Sequence, residues 1–215
     1  MAAGWDAEVA IIKEICSLGP VIPVIEIDDA NNAEPLAHAL LEGGLKVIEI
    51  TLRTTDALKA IENLADLPDI KIGAGTLITP ENVQQAKEAG ADFGVSPGST
   101  EELIHACSNA ELPFLPGAAT STEVLALAGL GFHVQKFFPA EAAGGTSMLK
   151  AVSGPIANVQ FCPTGGITPE TAASYLSLPN VICVGGSWIA SRTLIREQNW
   201  QKITENARHA NKLAR

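Results

Sequence analysis

Residues 159–170 read Val159-Gln160-Phe161-Cys162-Pro163-Thr164-Gly165-Gly166-Ile167-Thr168-Pro169-Glu170. This stretch holds a strand, a turn and a helix start in succession. Val159 to Cys162 is a short, largely apolar run of strand length. Gly165 and Gly166 permit a tight turn. Thr168 is suited to cap a helix whose first residue is Pro169, where proline's missing N–H costs nothing. The same helix start recurs as Ile78-Thr79-Pro80-Glu81.

Outward from there, short apolar runs recur along the chain at 21–27, 46–52, 70–74, 93–96, 114–115, 133–138, 159–162 and 181–184. Their starts lie 19 to 26 residues apart, room for one helix and two short loops each. Helix punctuation falls in the gaps. Asn32 is placed to cap a helix over 35–41 that stops at Gly43-Gly44. Ser99 with Glu102, and Thr120 with Glu123, fit the capping box. Residues 5–18 form an amphipathic pattern ahead of the first strand.

Strands alternating with helices imply a parallel sheet. The expected fold is α/β: a (β/α)8 TIM barrel with an extra N-terminal helix, one domain over residues 1–215. An open doubly wound sheet is the alternative. It lacks its usual support, because no G-x-G-x-x-G follows the first strand. The Ile-Thr-Pro-Glu echo after the third and seventh strands, half a turn apart in a closed barrel, favours closure.

Hydrophobic residues make up 47% of the chain and charged ones 18%, which suits a packed core and argues against disorder. Net charge is −10, so a basic face for nucleic acid is not expected. Residues 1–4 lack a signal-peptide pattern, and no run is long enough for a membrane span, so a cytoplasmic protein is expected. Cys16, Cys107, Cys162 and Cys183 are scattered, which reads as four reduced thiols. His38, His105 and His209 fall on expected helices and His133 opens the sixth strand at the wrong end, so neither a metal nor a cofactor is expected.

In such barrels the chemistry sits at the carboxyl ends of the strands. In Val47-Ile48-Glu49-Ile50-Thr51-Leu52-Arg53, alternation puts Ile48, Ile50 and Leu52 on one face and Glu49, Thr51 and Arg53 on the other, inner one. Two readings fit: a structural Glu49–Arg53 ion pair, or a proton shuttle beside a carboxylate clamp. In His133-Val134-Gln135-Lys136-Phe137-Phe138-Pro139, Lys136 is either a lysine reaching the rim or an amine nucleophile. As a nucleophile it would attack a ketone, and the iminium would serve as an electron sink for C–C cleavage. Arg53 offers a second cation and Glu49 the proton transfers.

Thr164-Gly165-Gly166 and Gly185-Gly186-Ser187 follow the last two strands, where this fold binds phosphate; they are also simple tight turns. Thr76 ends the third strand with a hydroxyl, Pro97 shapes the end of the fourth, and Phe138 flanks the lysine.

Together, Pro23-Val24-Ile25, Glu49-Ile50-Thr51-Leu52-Arg53-Thr54, Gly73-Ala74-Gly75-Thr76, Ser96-Pro97-Gly98, Lys136-Phe137-Phe138-Pro139-Ala140-Glu141, Pro163-Thr164-Gly165-Gly166-Ile167 and Gly185-Gly186-Ser187-Trp188 resemble the 2-keto-3-deoxy-6-phosphogluconate and 4-hydroxy-2-oxoglutarate aldolases. The resemblance implies a class I aldolase that cleaves 2-dehydro-3-deoxy-6-phosphogluconate, a small phosphorylated keto acid, to pyruvate and glyceraldehyde 3-phosphate. It implies Lys136 as the Schiff-base residue, Glu49 as the general acid/base, Arg53 and Thr76 near the carboxylate, and Thr164 at the substrate. It further implies a phosphate site of Gly165, Gly166, Gly186 and Ser187, and a homotrimer. Pro97 and Phe138 are expected to touch substrate. Glu26 departs from the family pattern, which has an aliphatic residue there. Other readings of the bare residues are a phosphate-binding barrel synthase or isomerase, or a non-catalytic phosphosugar-binding module.

Overall fold

The computed structural model describes residues 6–213, with side chains from residue 10 onward. The first five residues, including Trp5 of the expected N-terminal helix, and the last two lie outside it. The strands are β1 (Val21–Ile25), β2 (Val47–Thr51), β3 (Lys71–Gly75), β4 (Phe93–Val95), β5 (Phe114–Leu115), β6 (Gly117–Ala118), β7 (Val134–Phe137), β8 (Gln160–Pro163) and β9 (Val184–Gly186). Helix α1 (Asp6–Ser17) precedes β1, and helices from α2 (Ala33–Glu42) to α8 (Pro169–Leu176) fill every gap between successive strands except that between β5 and β6. The short α9 (Arg192–Arg196) and α10 (Trp200–Asn211) close the chain.

The architecture is α/β with parallel strands, as the rhythm of runs and caps leads one to expect. The strands form two curled sheets, ordered β5-β4-β3-β2-β1-β9 and β6-β7-β8. Between β5 and β6 stands Pro116, which has no N–H for a ladder. Its carbonyl still accepts from the Lys136 N–H at 2.8 Å. On the other side β8 meets the chain around β9 through two parallel bridges, Phe161 to Val181 and Thr164 to Gly185. The expected eighth strand at 181–184 is therefore displaced: Val181 makes a single bridge, and the ladder with β1 begins at Val184.

Alternation along the strands separates two cores. Ile48 and Ile50 pack with the helices in the larger cluster. Val47, on the other face, joins Phe93, Val95, Leu115, Val134, Cys162 and Cys183 in a second cluster inside the curl. Ile12, Ile15 and Cys16 of α1 belong to the same cluster, so this helix covers one end of the interior. Burying each isoleucine there contributes about 1.5–3 kcal/mol. All four cysteines are free and buried, and burial pushes the Cys107 thiol up to about 12.

Most helix starts follow the sequence. Thr79 accepts from the Asn82 N–H with Pro80 next to it, and Thr120 forms a capping box with Glu123. Thr168 likewise accepts from the Thr171 N–H. Two differ. Thr100, not Ser99, caps α5 (Glu101–Asn109), because the Ser99 hydroxyl donates to the Gly117 carbonyl at 3.2 Å. Asn32 precedes α2 without a side-chain cap; its amide oxygen accepts from Gln198 at 3.2 Å instead.

Candidate active site

The inner face of β2 carries Val47, Glu49 and Thr51, all buried. Thr51 is fixed by its hydroxyl, which donates to the Ile25 carbonyl at 2.9 Å. Glu49 sits beside Gly75 at the end of β3. A Cβ at Gly75 would lie 2.2 Å from Glu49 Oε1, so only glycine leaves room for the carboxylate.

From β7, Lys136 reaches the same point. Its Nζ donates to Glu49 Oε1 at 3.0 Å and lies 3.3 Å from Oε2. Lys136 is 5% exposed and Glu49 is 3% exposed. Withdrawing two charges from water is tolerated only where they pair closely, as these do. The Phe138 ring lies nearby, its centroid 5.5 Å from Nζ.

A cavity of about 330 Å³ opens over this end of the sheets. Among the expected site residues, Arg53, Phe138, Thr164, Gly165, Gly166 and Ser187 line it. Lys136 and Glu49 do not line it themselves; Phe138 touches both the cavity and the amine. Thr76, Pro97 and Gly186 lie off its wall. Thr76 is held at φ 65°, a costly backbone for a β-branched residue. Gly186 is covered by Trp188, and Gly185 lines the cavity in its place. Gly165 and Gly166 turn with φ of 105° and 79°, which glycine adopts without strain.

Arg53 does not pair with Glu49. Its Nη1 donates to Glu26 Oε1 at 3.0 Å, because β1 lies beside β2 and both side chains leave the same strand ends. Glu26 thus faces the cavity, and so do three residues that the sequence did not single out, Ala190, Ser191 and Arg192. Arg192 opens α9, beyond the strand-end windows, and its partner Asp28 lies 164 residues away in sequence. Among the described residues no group of three or more His, Cys, Asp or Glu side chains is placed to hold a metal ion.

Parallel curled sheets with a buried lysine–glutamate pair beneath an open cavity have the make-up of an α/β enzyme of the aldolase kind. The chain belongs to the family described as KDPG and KHG aldolase, whose model matches residues 12–206. A 2-dehydro-3-deoxy-phosphogluconate aldolase from Pseudoalteromonas atlantica is 44% identical over 199 residues, 92% of this chain and 93% of that one. A KDPG aldolase structure from Legionella pneumophila, with pyruvate captured as a covalent carbinolamine, is 48% identical with a TM-score of 0.90, covering 93% of this chain and 98% of the other. The 2-keto-3-deoxy-6-phosphogluconate aldolase of Zymomonas mobilis with 3-phosphoglycerate is 41% identical with a TM-score of 0.89, covering 99% and 98%.

Proposed function

We propose that this lyase cleaves 2-dehydro-3-deoxy-6-phosphogluconate to pyruvate and glyceraldehyde 3-phosphate through a Schiff base on Lys136. The contact between Lys136 and Glu49 carries the reading, since it sets an amine against a carboxylate in a dry site. Glu49 first takes a proton from Lys136; the freed amine attacks the C2 ketone, and a proton passes from its nitrogen to the new oxygen, giving a carbinolamine. Loss of water leaves an iminium, with Glu49 supplying the proton that departs with the hydroxyl. Glu49 then removes the C4 hydroxyl proton. The C3–C4 bond breaks, its electrons pass into the iminium, and glyceraldehyde 3-phosphate leaves. Protonation of the enamine at C3 and hydrolysis release pyruvate and return the amine.

Arg53 is the anchor for the keto acid's carboxylate, supported by its place on the cavity wall. Thr164 contacts the substrate; Phe138 packs against it and opens the way to the amine. Gly165, Gly166 and Ser187 hold the phosphate through backbone N–H groups and a hydroxyl. Thr76 and Pro97, which like Lys136 lie off the cavity wall, are read as further substrate contacts, and Gly186 as part of the phosphate turn. The family's second substrate, 4-hydroxy-2-oxoglutarate, lacks the phosphate but undergoes the same aldol cleavage, so the reading extends to it.

The two curled sheets are read as a closed (β/α)8 barrel in one domain, supported by the two bridges beside β9. The protein is read as a cytoplasmic homotrimer. No helix among the described residues is long and apolar enough to cross a membrane. A mass three times that of the chain in light scattering is the expected result for the trimer.

Borohydride reduction in the presence of pyruvate tests the chemistry. A reduced adduct on Lys136 is expected, and none in Lys136→Ala. Normal turnover by that variant would end the Schiff-base reading.

A further inference from the structure

At the mouth of the cavity stands a set of charges that the aldol steps above leave unexplained. Arg53 Nη1 lies 3.0 Å from Glu26 Oε1, and Arg192 Nη1 lies 3.6 Å from Glu26 Oε2. Glu26 is therefore one carboxylate shared between two guanidinium groups, one on each oxygen. Arg192 is also tied to Asp28: its Nε donates at 2.6 Å and its Nη2 donates to the other oxygen. That grip holds the Asp28 carboxyl below the ordinary carboxylate range and Arg192 above its own. Glu26, Arg53 and Arg192 all line the cavity.

We infer that Glu26 is a positioning residue that competes with the substrate's carboxylate for Arg53 and turns to Arg192 when substrate binds. The inference rests on the reading of Arg53 as the carboxylate anchor. A guanidinium grips a carboxylate best with two parallel N–H groups, and Glu26 already occupies Nη1. An incoming keto acid must displace Glu26 or accept a poorer grip. Displacement alone would strand a negative charge on the wall of a site built for anions. Arg192 removes that penalty, since it stands beside the other oxygen of the same carboxylate. Because Asp28 holds Arg192 through two N–H groups, Arg192 is a fixed post and not a second anchor that swings to the ligand. Two acids also cancel two bases at the mouth, so Arg53 is screened until Glu26 moves.

Half-saturating concentrations in borohydride trapping at Lys136 provide the test, with pyruvate and its uncharged amide as probes. Glu26→Gln removes the competitor's charge. Pyruvate should then half-saturate at about a threefold to fivefold lower concentration, the scale of one exposed ion pair. The amide should move by less than about twofold, since it has no carboxylate for Arg53 to bind. Arg192→Gln should weaken pyruvate by a similar factor in the natural background and have little effect in Glu26→Gln. An unchanged or higher pyruvate value in Glu26→Gln, or an equal shift for the amide, overturns the inference. If the natural protein traps no pyruvate at all, it is the Schiff-base reading that fails.

Discussion

Lys136 Nζ lies 3.0 Å from Glu49 Oε1 although 87 residues separate the two, because β7 and β2 belong to different sheets that face each other across the curl. Both groups are almost wholly buried, so each relies on the other to keep its charge out of water. Lys136→Met alone leaves the Glu49 carboxylate buried without a cation and should lose about 3–5 kcal/mol at neutral pH. Lys136→Met combined with Glu49→Leu should restore stability to within about 1 kcal/mol of the natural protein or exceed it, while remaining inactive. Urea unfolding of the two single variants and the double variant measures this. Losses that simply add would mean the pair is not energetically coupled.

Gly75 leaves the space in which the Glu49 carboxylate sits. In Gly75→Ala the new methyl would lie 2.2 Å from Oε1 and must push it aside. A displaced proton-transfer group should lower kcat by about a hundredfold. KM for the substrate should change far less, because the cavity wall is untouched. Wild-type kcat in this variant would show that Glu49 tolerates movement or does not transfer protons.

What could be read in advance follows from the range of each interaction. The inner face of β2 was legible because alternation fixes it locally: Glu49 and Thr51 turn inward while Ile48 and Ile50 meet the helices. Lys136 was legible as an oddity within an apolar strand, and the turns at Gly165 and Gly166 as backbone only glycine adopts freely. Thr100 in place of Ser99 was a one-residue slip, decided by a hydrogen bond to Gly117 that local sequence cannot show. The partner of Arg53 was not legible for the same reason, since Glu26 comes beside it only when β1 and β2 pair. Arg192 gave no local sign, because its role depends on Asp28 and Glu26 at the other end of the chain.

Ser187 lines the cavity on the loop after β9 and is exposed there. A hydroxyl bonded to a phosphate is worth enough that Ser187→Ala should raise KM for the phosphorylated substrate about tenfold. KM for 4-hydroxy-2-oxoglutarate, which has no phosphate, should stay within about twofold. Steady-state kinetics with both substrates decides it. Equal changes would make the hydroxyl a structural group of the turn.

Glu123 closes the capping box of α6 (Ser121–Gly129): its carboxylate accepts from the Ala119 and Thr120 N–H groups, each at 2.8 Å. The Ala119 N–H, with help from Thr120, holds its carboxyl below the ordinary value of 4.5. A depressed carboxyl stabilises the fold above its unfolded value and loses that contribution as the pH falls through the folded one. Glu123→Ala should therefore unfold about 1 kcal/mol more easily at pH 7. The gap should narrow once the pH drops below 4.5 and continue closing as the natural protein's carboxylate takes up its proton. Denaturant melts of both proteins across that range measure it. A gap that stayed constant into acid would mean the loss comes from the missing side-chain packing and not from the charged cap.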